Sequence, residues 1–202
     1  MSGALPTSPE FNALSFQEEV NTLVSVSDSG RRFARQIDNQ RWKFTCRYTN
    51  LTRAEFAPIF AFITKQRGSK ETFTITPPNL KNALGSETTT ISVNGSHTAG
   101  DTTIAIDGFN ADSAGSLKAG DFLKFASHTK VYQVVSDVTP SSNAATVTIE
   151  PPLLEALTND STVTYDAVPF TVYLTSSVQV IVWVLTIYII MNLMYVRRFN
   201  GT

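Results

Sequence analysis

The chain contains one cysteine, Cys46, and only two histidines among 202 residues. A single cysteine excludes an intramolecular disulfide framework and a zinc site built mainly from cysteines. Charge of either sign is not in excess, since 16 Lys and Arg stand against 17 Asp and Glu. A balanced charge provides no global field that would favour nucleic acid or an anionic membrane. Function must therefore be sought in local patterns.

The N-terminal segment lacks both the basic start and the apolar stretch of a secretory signal, so we do not expect one here. Pro6 and Pro9 oppose a helix in this segment, and we predict an extended, mobile arm. The length of the chain suits one domain or two small ones.

The two histidines do not indicate a metal site or a catalytic base. Neither has a cysteine or a second histidine at a metal-ligand spacing, so we predict structural or turn roles for His97 and His128. Ser127, His128 and Asp121 have the residue types of a catalytic triad. However, a nucleophile next to its own base in sequence is unusual, and no nucleophile elbow is present.

A carboxylate pair, Asp101 and Asp107, flanks one predicted strand. Two carboxylates can perform acid–base chemistry, but Asp107 precedes Gly108 as in a hairpin turn. We predict turn roles for both aspartates. The sequence therefore predicts no enzyme, no cofactor and no bound metal.

The clearest strand is Gln40 to Tyr48, with the sequence QRWKFTCRY. Its strict alternation predicts a half-buried strand with one wet, cationic face. The predicted inner residues are Trp42, Phe44, Cys46 and Tyr48; the outer ones are Arg41, Lys43, Thr45 and Arg47. Upstream, Ser29-Gly30 predicts a turn between a strand ending near Val26 and a second strand over 31–37.

Basic residues with nearby aromatics make these strands a candidate nucleic-acid patch. A solvated or subunit-facing strand surface is the preferred interpretation. The patch comprises Arg31, Arg32, Arg35, Arg41, Lys43 and Arg47, with Trp42 and Phe44.

A helix is predicted near 52–67. Thr52 and Glu55 match a capping box, and Gly68 is the predicted stop. Pro58 falls early enough to bend the helix rather than break it. Helical spacing predicts that the buried face is formed by Phe56, Ile59, Phe60 and Ile63.

The composition of the chain changes after Pro77-Pro78. Residues 79–96 are mostly small and polar, which predicts a hinge into a second module. Short strands separated by turn signals then predict a small closed barrel. Residues 160–175 alternate again and could rejoin the first sheet. The predicted barrel strands are 102–106, 122–125, 130–135 and 146–150.

The stretch Leu117 to Val134, LKAGDFLKFASHTKVYQV, resembles the inserted barrel domain of distal tail proteins of T5-type siphophages. In that family a Lys-Ala-Gly-Asp turn leads into a strand and a His-x-Lys-Val-Tyr segment begins the next. The residues that match are Lys118, Ala119, Gly120, Asp121, His128, Lys130, Val131 and Tyr132. The resemblance extends over roughly residues 30 to 175.

The resemblance implies a mainly β protein with one α-helix. A split β-sandwich or barrel ring domain, residues 1–80 and 166–202, would carry an inserted OB-like small β-barrel, residues 84–165. Phe122, Phe125 and Tyr132 are expected in the core of that barrel rather than on a sugar platform.

The implied function is structural. A homo-hexameric ring at the phage tail tip would join the tail tube protein to the hub and fibre proteins, with DNA only as passing cargo. The protein would be made in the host cytoplasm and reside in the virion. Arg41, Lys43 and Arg47 are then candidates for a subunit interface or the ring lumen. Alternatives are a carbohydrate-binding or host-recognition module and a baseplate ring of a contractile tail.

Residues 178–196 form an uncharged, apolar run followed by Arg197 and Arg198, which has the length and flanking cations of a membrane span. A second reading frame is obtained by joining the last base of each codon to the first two bases of the next codon. In that frame the genetic code forces Gly, Glu and Val at three of the codon junctions. That frame permits V-G-T-D-N-L-Y-N-Y-E-L-D-V, a turn and an alternating strand. We favour a closing strand altered by a one-base deletion near Gln179, and we expect no membrane anchor.

Overall fold

The computed structural model describes residues 2–37, 40–110 and 114–176, and the backbone of 182–183 and 187–195. The described chain forms two compact units, residues 2–73 with Val172–Tyr195, and Thr74–Thr171. The elements in chain order are β1 (Ala13–Glu19), β2 (Thr22–Val26), β3 (Arg32–Gln36), β4 (Arg41–Leu51), α1 (Arg53–Lys65), β5 (Phe73–Ile75), β6 (Ile91–Val93), β7 (Thr103–Asp107), β8 (Phe122–Phe125), β9 (Val131–Val134), β10 (Ala144–Glu150), β11 (Thr162–Thr164), β12 (Phe170–Leu174), β13 (Val182–Trp183) and β14 (Ile187–Tyr195).

A six-stranded sheet organises the first unit. Its strand order is β1-β4-β14-β12-β5, with β13 paired to β14. In β4 the side chains alternate between buried and wetter positions, as a half-buried strand requires. The predicted strand and the burial of Trp42, Phe44, Cys46 and Tyr48 are therefore confirmed.

The predicted helix forms as α1, and its capping box is present. Thr52 Oγ1 accepts from the Glu55 amide, while the Glu55 carboxylate accepts from the Thr52 amide at 2.8 Å. Hydrogen bonds from the Thr52 amide and the Thr52 hydroxyl to the Glu55 carboxylate hold the pKa of Glu55 below its ordinary value. Pro58 lies within the helix without ending it. The helix ends at Lys65, ahead of Gly68, whose φ is +71°.

One residue of the predicted helix core is wrongly placed. Phe56, Ile59 and Ile63 are buried, but Phe60 is exposed and stacks on Phe56, with ring centroids 5.6 Å apart. A 3.6-residue period turns position 60 away from the line through 56, 59 and 63.

The prediction of a mobile N-terminal arm is wrong for the residues that the structure describes. Leu5 is buried, and the Ser2 amide donates to the Thr72 carbonyl at 2.7 Å. The Ser2 hydroxyl also bonds to the Gln66 side chain. Further along, β1 pairs antiparallel with β4 along its whole length. The sequence analysis did not predict β1.

The second unit contains a closed barrel with the strand order β10-β7-β6-β11-β8-β9. Its core is apolar and continuous, and Ile104, Leu123, Phe125 and Tyr132 are fully buried within it. The mainly β class with one helix and a small closed barrel is therefore confirmed. The barrel has six strands, whereas the OB fold has five, so OB-like topology stays a prediction.

The predicted barrel strands correspond to β7, β8, β9 and β10, but the hinge prediction missed one strand. β6 lies inside the segment 79–96 and pairs with both β7 and β11. Residues 160–175 contain β11, which belongs to the barrel, and β12, which lies in the first sheet as predicted. Gly108 follows β7 with φ +86°, and a Cβ there would lie 2.8 Å from the Thr90 carbonyl oxygen. Position 108 therefore requires glycine. The predicted turn role of Asp107 is wrong, because Asp107 is the last residue of β7 and pairs with Ala144 and Ser92.

The backbone of 187–195 runs as a strand between β4 and β12. No helix within the described ranges is long and apolar enough to cross a membrane. The rest of the apolar run, residues 178–181, 184–186 and 196, lies outside the described residues, as do Arg197 and Arg198.

Candidate assembly surface

The first unit contains an exposed two-stranded hairpin. β2 and β3 pair antiparallel from Thr22↔Gln36 to Val26↔Arg32, as the predicted turn requires. The Ser27 amide donates to the Arg31 carbonyl at 3.0 Å, and the Gly30 amide donates to the Ser27 carbonyl at 2.8 Å. Gly30 has φ +78°, a conformation that glycine adopts without strain. Among the residues that the structure describes, the two strands belong to no larger sheet.

Every residue of β2 and β3 is exposed, and large apolar side chains lie on both faces. Residues opposite each other in an antiparallel pair project from the same face. Leu23 and Phe33, each 53% exposed, therefore share one face, while Val24 and Val26 share the other. Val20 and Ile37, beside the two strands, are exposed as well.

Arginines border these apolar side chains. Arg35 pairs with Leu23, Arg32 pairs with Val26, and the Arg31 guanidinium lies 5.3 Å from the centre of the Phe33 ring. An isolated two-stranded hairpin is marginal in water, and contiguous exposed apolar surface marks an interaction site. The hairpin 20–37 therefore has the composition of a docking element that another protein surface would cover.

The structure divides the candidate nucleic-acid patch. Trp42 and Phe44 are buried, and each packs on Phe16 with ring centroids 5.0 Å apart. These rings are therefore unavailable to stack on bases, and that part of the nucleic-acid interpretation is wrong. The arginines of the hairpin lie on a different sheet from Arg41, Lys43 and Arg47.

The cationic face of β4 is partly covered. Arg41 and Lys43 are half-buried, whereas Arg47 is exposed. On the β1 side, Glu19 is the register partner of Arg41 and Gln17 that of Lys43. Cross-strand partners of opposite charge stabilise a sheet. The role of Arg41, Lys43 and Arg47 at an interface or in a lumen stays a prediction.

The opposite face of β4 is chemically inert. Burial raises the pKa of the Cys46 thiol to about 12. Burial also raises the pKa of Tyr48, with the neighbouring Cys46 adding to the effect. A thiol that stays protonated is a poor nucleophile and a poor metal ligand. Cys46 is therefore a core residue.

In the barrel unit, the family-matching Lys-Ala-Gly-Asp turn is organised by a buried carboxylate. Asp121 accepts from the amides of Lys118 at 2.7 Å, Leu84 at 2.6 Å and Gly85 at 3.2 Å. Gly120 has φ +104°, so this turn also needs glycine. The Ala119 amide donates a hydrogen bond to the Asp137 carboxylate at 3.0 Å. The turn is structural, and it joins β8 to the loop that precedes β6.

The second half of the motif supplies core residues. His128 Nδ1 lies 2.9 Å from the Tyr132 hydroxyl, which accepts from the Leu154 amide at 3.2 Å. The Tyr132 hydroxyl can therefore donate its own proton to His128 Nδ1. His128 Nε2 lies 3.4 Å from the Ala156 carbonyl oxygen. Burial lowers the pKa of His128. Lys130, Val131 and Tyr132 are also buried, so the matching residues specify the barrel rather than a ligand site.

Two further acidic side chains, Asp101 and buried Glu87, accept hydrogen bonds from residues close to them in sequence. Burial raises the pKa of Glu87, but hydrogen bonds from Thr89, Thr88 and Asn110 outweigh it and leave the pKa below its ordinary value. Asp101 accepts from the Thr98 amide at 2.8 Å, a turn contact. The sequence analysis did not single out Glu87, although Glu-Thr-Thr is a polar cluster of the kind that loops contain.

Neither a sugar platform nor a metal site emerges from the predicted residues. Phe125 and Tyr132 are buried in the barrel core, as expected. Phe122 is also buried, but it lies outside that core and packs on Phe170, with ring centroids 5.5 Å apart. His97 Nδ1 is 3.8 Å from Asp101, and its Nε2 accepts from the Ala105 amide at 3.2 Å. Within the ranges that the structure describes, no group of three or more His, Cys, Asp or Glu could hold a metal ion.

Comparison with known proteins identifies the barrel unit. Residues 81–168 match the family model described as "Distal tail protein pb9, B domain". The matched segment contains all six barrel strands and the Lys-Ala-Gly-Asp turn. The resemblance to phage distal tail proteins is therefore confirmed, and with it a structural role in a phage tail. A search among curated proteins found no match.

Proposed function

We propose that this chain, whose residues 81–168 belong to the distal tail protein B-domain family, forms a hexameric ring at the phage tail tip. The ring joins the tail tube protein to the hub and fibre proteins and passes DNA through its lumen. The ring domain comprises residues 1–80 and 166–202, and the OB-like barrel of residues 84–165 is inserted into it. The function is mechanical, and no catalytic step is assigned.

The observation that supports self-assembly is the exposed hairpin 20–37. Its apolar side chains on both faces need a covering surface, and a head-to-tail ring supplies the same surface from each neighbouring copy. Heterologous contacts close into a ring when the rotation between subunits divides a circle. One hairpin per subunit would give one such contact per interface.

Charge balance supports the passage of DNA. The net charge of −1 provides little attraction for phosphates, and strong binding would impede a moving duplex. Arg41, Lys43 and Arg47 lie beside β1, where Glu19 faces Arg41. A lumen or interface lined by such a paired face would hold DNA weakly.

The test is the oligomeric state of the full chain by negative-stain electron microscopy and gel filtration. We expect rings with sixfold symmetry for the unmodified chain and monomers for the double variant Leu23→Ser with Phe33→Ser. Val135→Ser is the matched control, since Val135 is an exposed apolar residue of the barrel unit. It should leave the rings intact.

One outcome would overturn the proposed ring, and another would overturn the role of the hairpin in it. One is an unmodified chain that stays monomeric at high concentration and binds host polysaccharide, which would favour the carbohydrate-recognition function. The other is rings that persist in the hairpin double variant, which would remove the hairpin from the interface. Rings that dock on a contractile sheath rather than a flexible tube would place the protein in a contractile baseplate.

A further inference from the structure

The strand β14 occupies a central place in the first sheet, and its register with β4 is defined. Three of its positions face buried residues of β4, and the intervening ones face the cationic side of that strand. The first set of pairs is Ile189↔Tyr48, Met191↔Cys46 and Leu193↔Phe44; the second is Ile190↔Arg47, Asn192↔Thr45 and Met194↔Lys43.

The neighbour on the other side imposes the same alternation. Position 195 pairs with Val172 and position 193 with Leu174, both of which are buried, while position 194 pairs with half-buried Tyr173. Opposed residues share a face of the sheet. β4 therefore favours apolar residues at 189, 191 and 193 and polar or acidic residues at 190, 192 and 194. β12 favours apolar residues at 193 and 195.

The sequence of β14 satisfies only half of this requirement. Ile189, Met191 and Leu193 suit an apolar face. At the even positions, however, Ile190 is the register partner of Arg47 and Met194 that of Lys43. Ile190 and Met194 are uncharged, whereas an acidic residue at a register position opposite a cation stabilises a sheet. An antiparallel sheet with one wetter face normally alternates on every strand.

We infer that the native gene carries one more base shortly upstream, between codons 175 and 182, so that β14 is encoded in the neighbouring frame. A restored base leaves the numbering unchanged. Each residue is then specified by the last base of the preceding codon and the first two bases of its own. The register above can therefore be applied position by position.

The residues that the genetic code forces agree with the register. Met191 and Met194 have a single codon, which ends in G, so Asn192 becomes Glu and Tyr195 becomes Val whatever codons follow. The forced glutamate falls opposite Thr45, between Lys43 and Arg47 on the cationic face. The forced valine falls opposite buried Val172.

The remaining positions permit the full alternation. The frame allows Tyr, Tyr and Leu at 189, 191 and 193, opposite the buried residues of β4. It also allows Asn at 190 and Asp at 194, opposite Arg47 and Lys43. The third frame is closed, because the last two bases of Met191 followed by the first base of Asn192 spell TGA, a stop. Only one alternative frame can encode this strand.

A β14 encoded in the neighbouring frame would change the register partners of the cationic face of β4. Arg41 has Glu19 as its register partner in β1, and Lys43 and Arg47 acquire acidic or polar partners in β14. The face becomes a charge-paired sheet surface, which explains its alternating cations without invoking a nucleic acid. This conclusion does not rest on ring formation.

The direct test is to sequence phage DNA across codons 170–202 and to measure the mass of the C-terminal peptides of the chain from virions. We expect one additional base and peptides that contain the glutamate and valine. Unchanged DNA, with peptides of the sequence VQVIVWVLTIYIIMNLMYV, would overturn the inference.

A second test uses the chain in its present form. The triple variant Ile190→Asn, Asn192→Glu, Met194→Asp places acids opposite the cations, and Ile190→Asn, Asn192→Lys, Met194→Lys is the matched control. We expect the acidic variant to melt about 5 °C above the lysine variant, because opposed opposite charges stabilise and like charges destabilise. Equal melting temperatures would show that these positions do not face the β4 cations and would overturn the register argument.

Discussion

The hairpin β2–β3 and the barrel β6–β11 are both made of short antiparallel strands, yet they treat apolar side chains in opposite ways. In the barrel, closure leaves no sheet edge, and the apolar residues form a continuous core. In the hairpin, every strand residue is exposed. The difference shows that the barrel is complete within one chain, whereas the hairpin has the composition of an element that is completed by another molecule.

The largest expected effect separates these two regions directly. Phe125→Ala removes a fully buried ring from the barrel and should cost about 3–5 kcal/mol in the free energy of unfolding. Phe33→Ala removes the same ring from the hairpin and should change it by less than about 0.5 kcal/mol. Urea denaturation of the full chain at low concentration, where assembly adds little stability, measures both. Similar losses would mean that the hairpin has an intramolecular cover.

The next effect concerns the turn that closes the barrel. Asp121→Asn replaces one carboxylate oxygen with an amide that cannot accept, although Asp121 serves three backbone amides. We expect a loss of about 2–3 kcal/mol, since buried donors would lose their charged acceptor. Asp137→Asn is the control, because Asp137 caps only the exposed Ala119 amide. A control that loses as much would show that burial of the carboxylate does not matter.

The capping box tests the unit that carries the hairpin. Thr52→Ala deletes the side-chain acceptor for the Glu55 amide and should cost about 1 kcal/mol. Thr64→Ala is a control within the same helix, where Thr64 Oγ1 bonds only to the Phe60 carbonyl. Thermal melting of both variants gives the comparison. If Thr64→Ala destabilises as much as Thr52→Ala, the cap contributes nothing beyond a generic Thr-to-Ala change.

Strand and helix prediction succeeded where local patterns determine structure. The period-two alternation from Trp42 to Tyr48 predicted both the strand and its buried face. The pairing of Thr52 with Glu55 predicted the start of the helix. These signals are local, because the strand pleat and the helix cap are satisfied by neighbouring residues.

The prediction errors arose where contacts between residues distant in sequence determine the structure. β1 was missed because its pattern, ALSFQEE, is a weak alternation that gains meaning only beside β4. β6 is three residues long, and its pairing with β7 and β11 cannot be seen in sequence. Exposure of the hairpin was also invisible, since Leu23, Val24 and Phe33 have the composition of a buried strand. The buried position of the motif residue Asp121 depends on hydrogen bonds from the amides of Leu84 and Gly85, which are distant in sequence.

The smallest effect is a pH dependence that belongs to the barrel alone. Burial lowers the pKa of His128 from its ordinary value of 6.5, against smaller raising effects of the Ala156 carbonyl and Glu155. Below pH 6.5 the unfolded chain takes up a proton that the folded chain resists, so stability falls as pH falls from 6.5. The melting temperature of the full chain should therefore decrease from pH 7.5 to pH 5.5. In His128→Asn the decrease should be smaller, because the variant lacks the imidazole that resists protonation in the folded chain. An equal slope in the variant would mean that the Tyr132 hydroxyl accommodates a protonated imidazole, and the hydrogen bond would then have to reverse its direction.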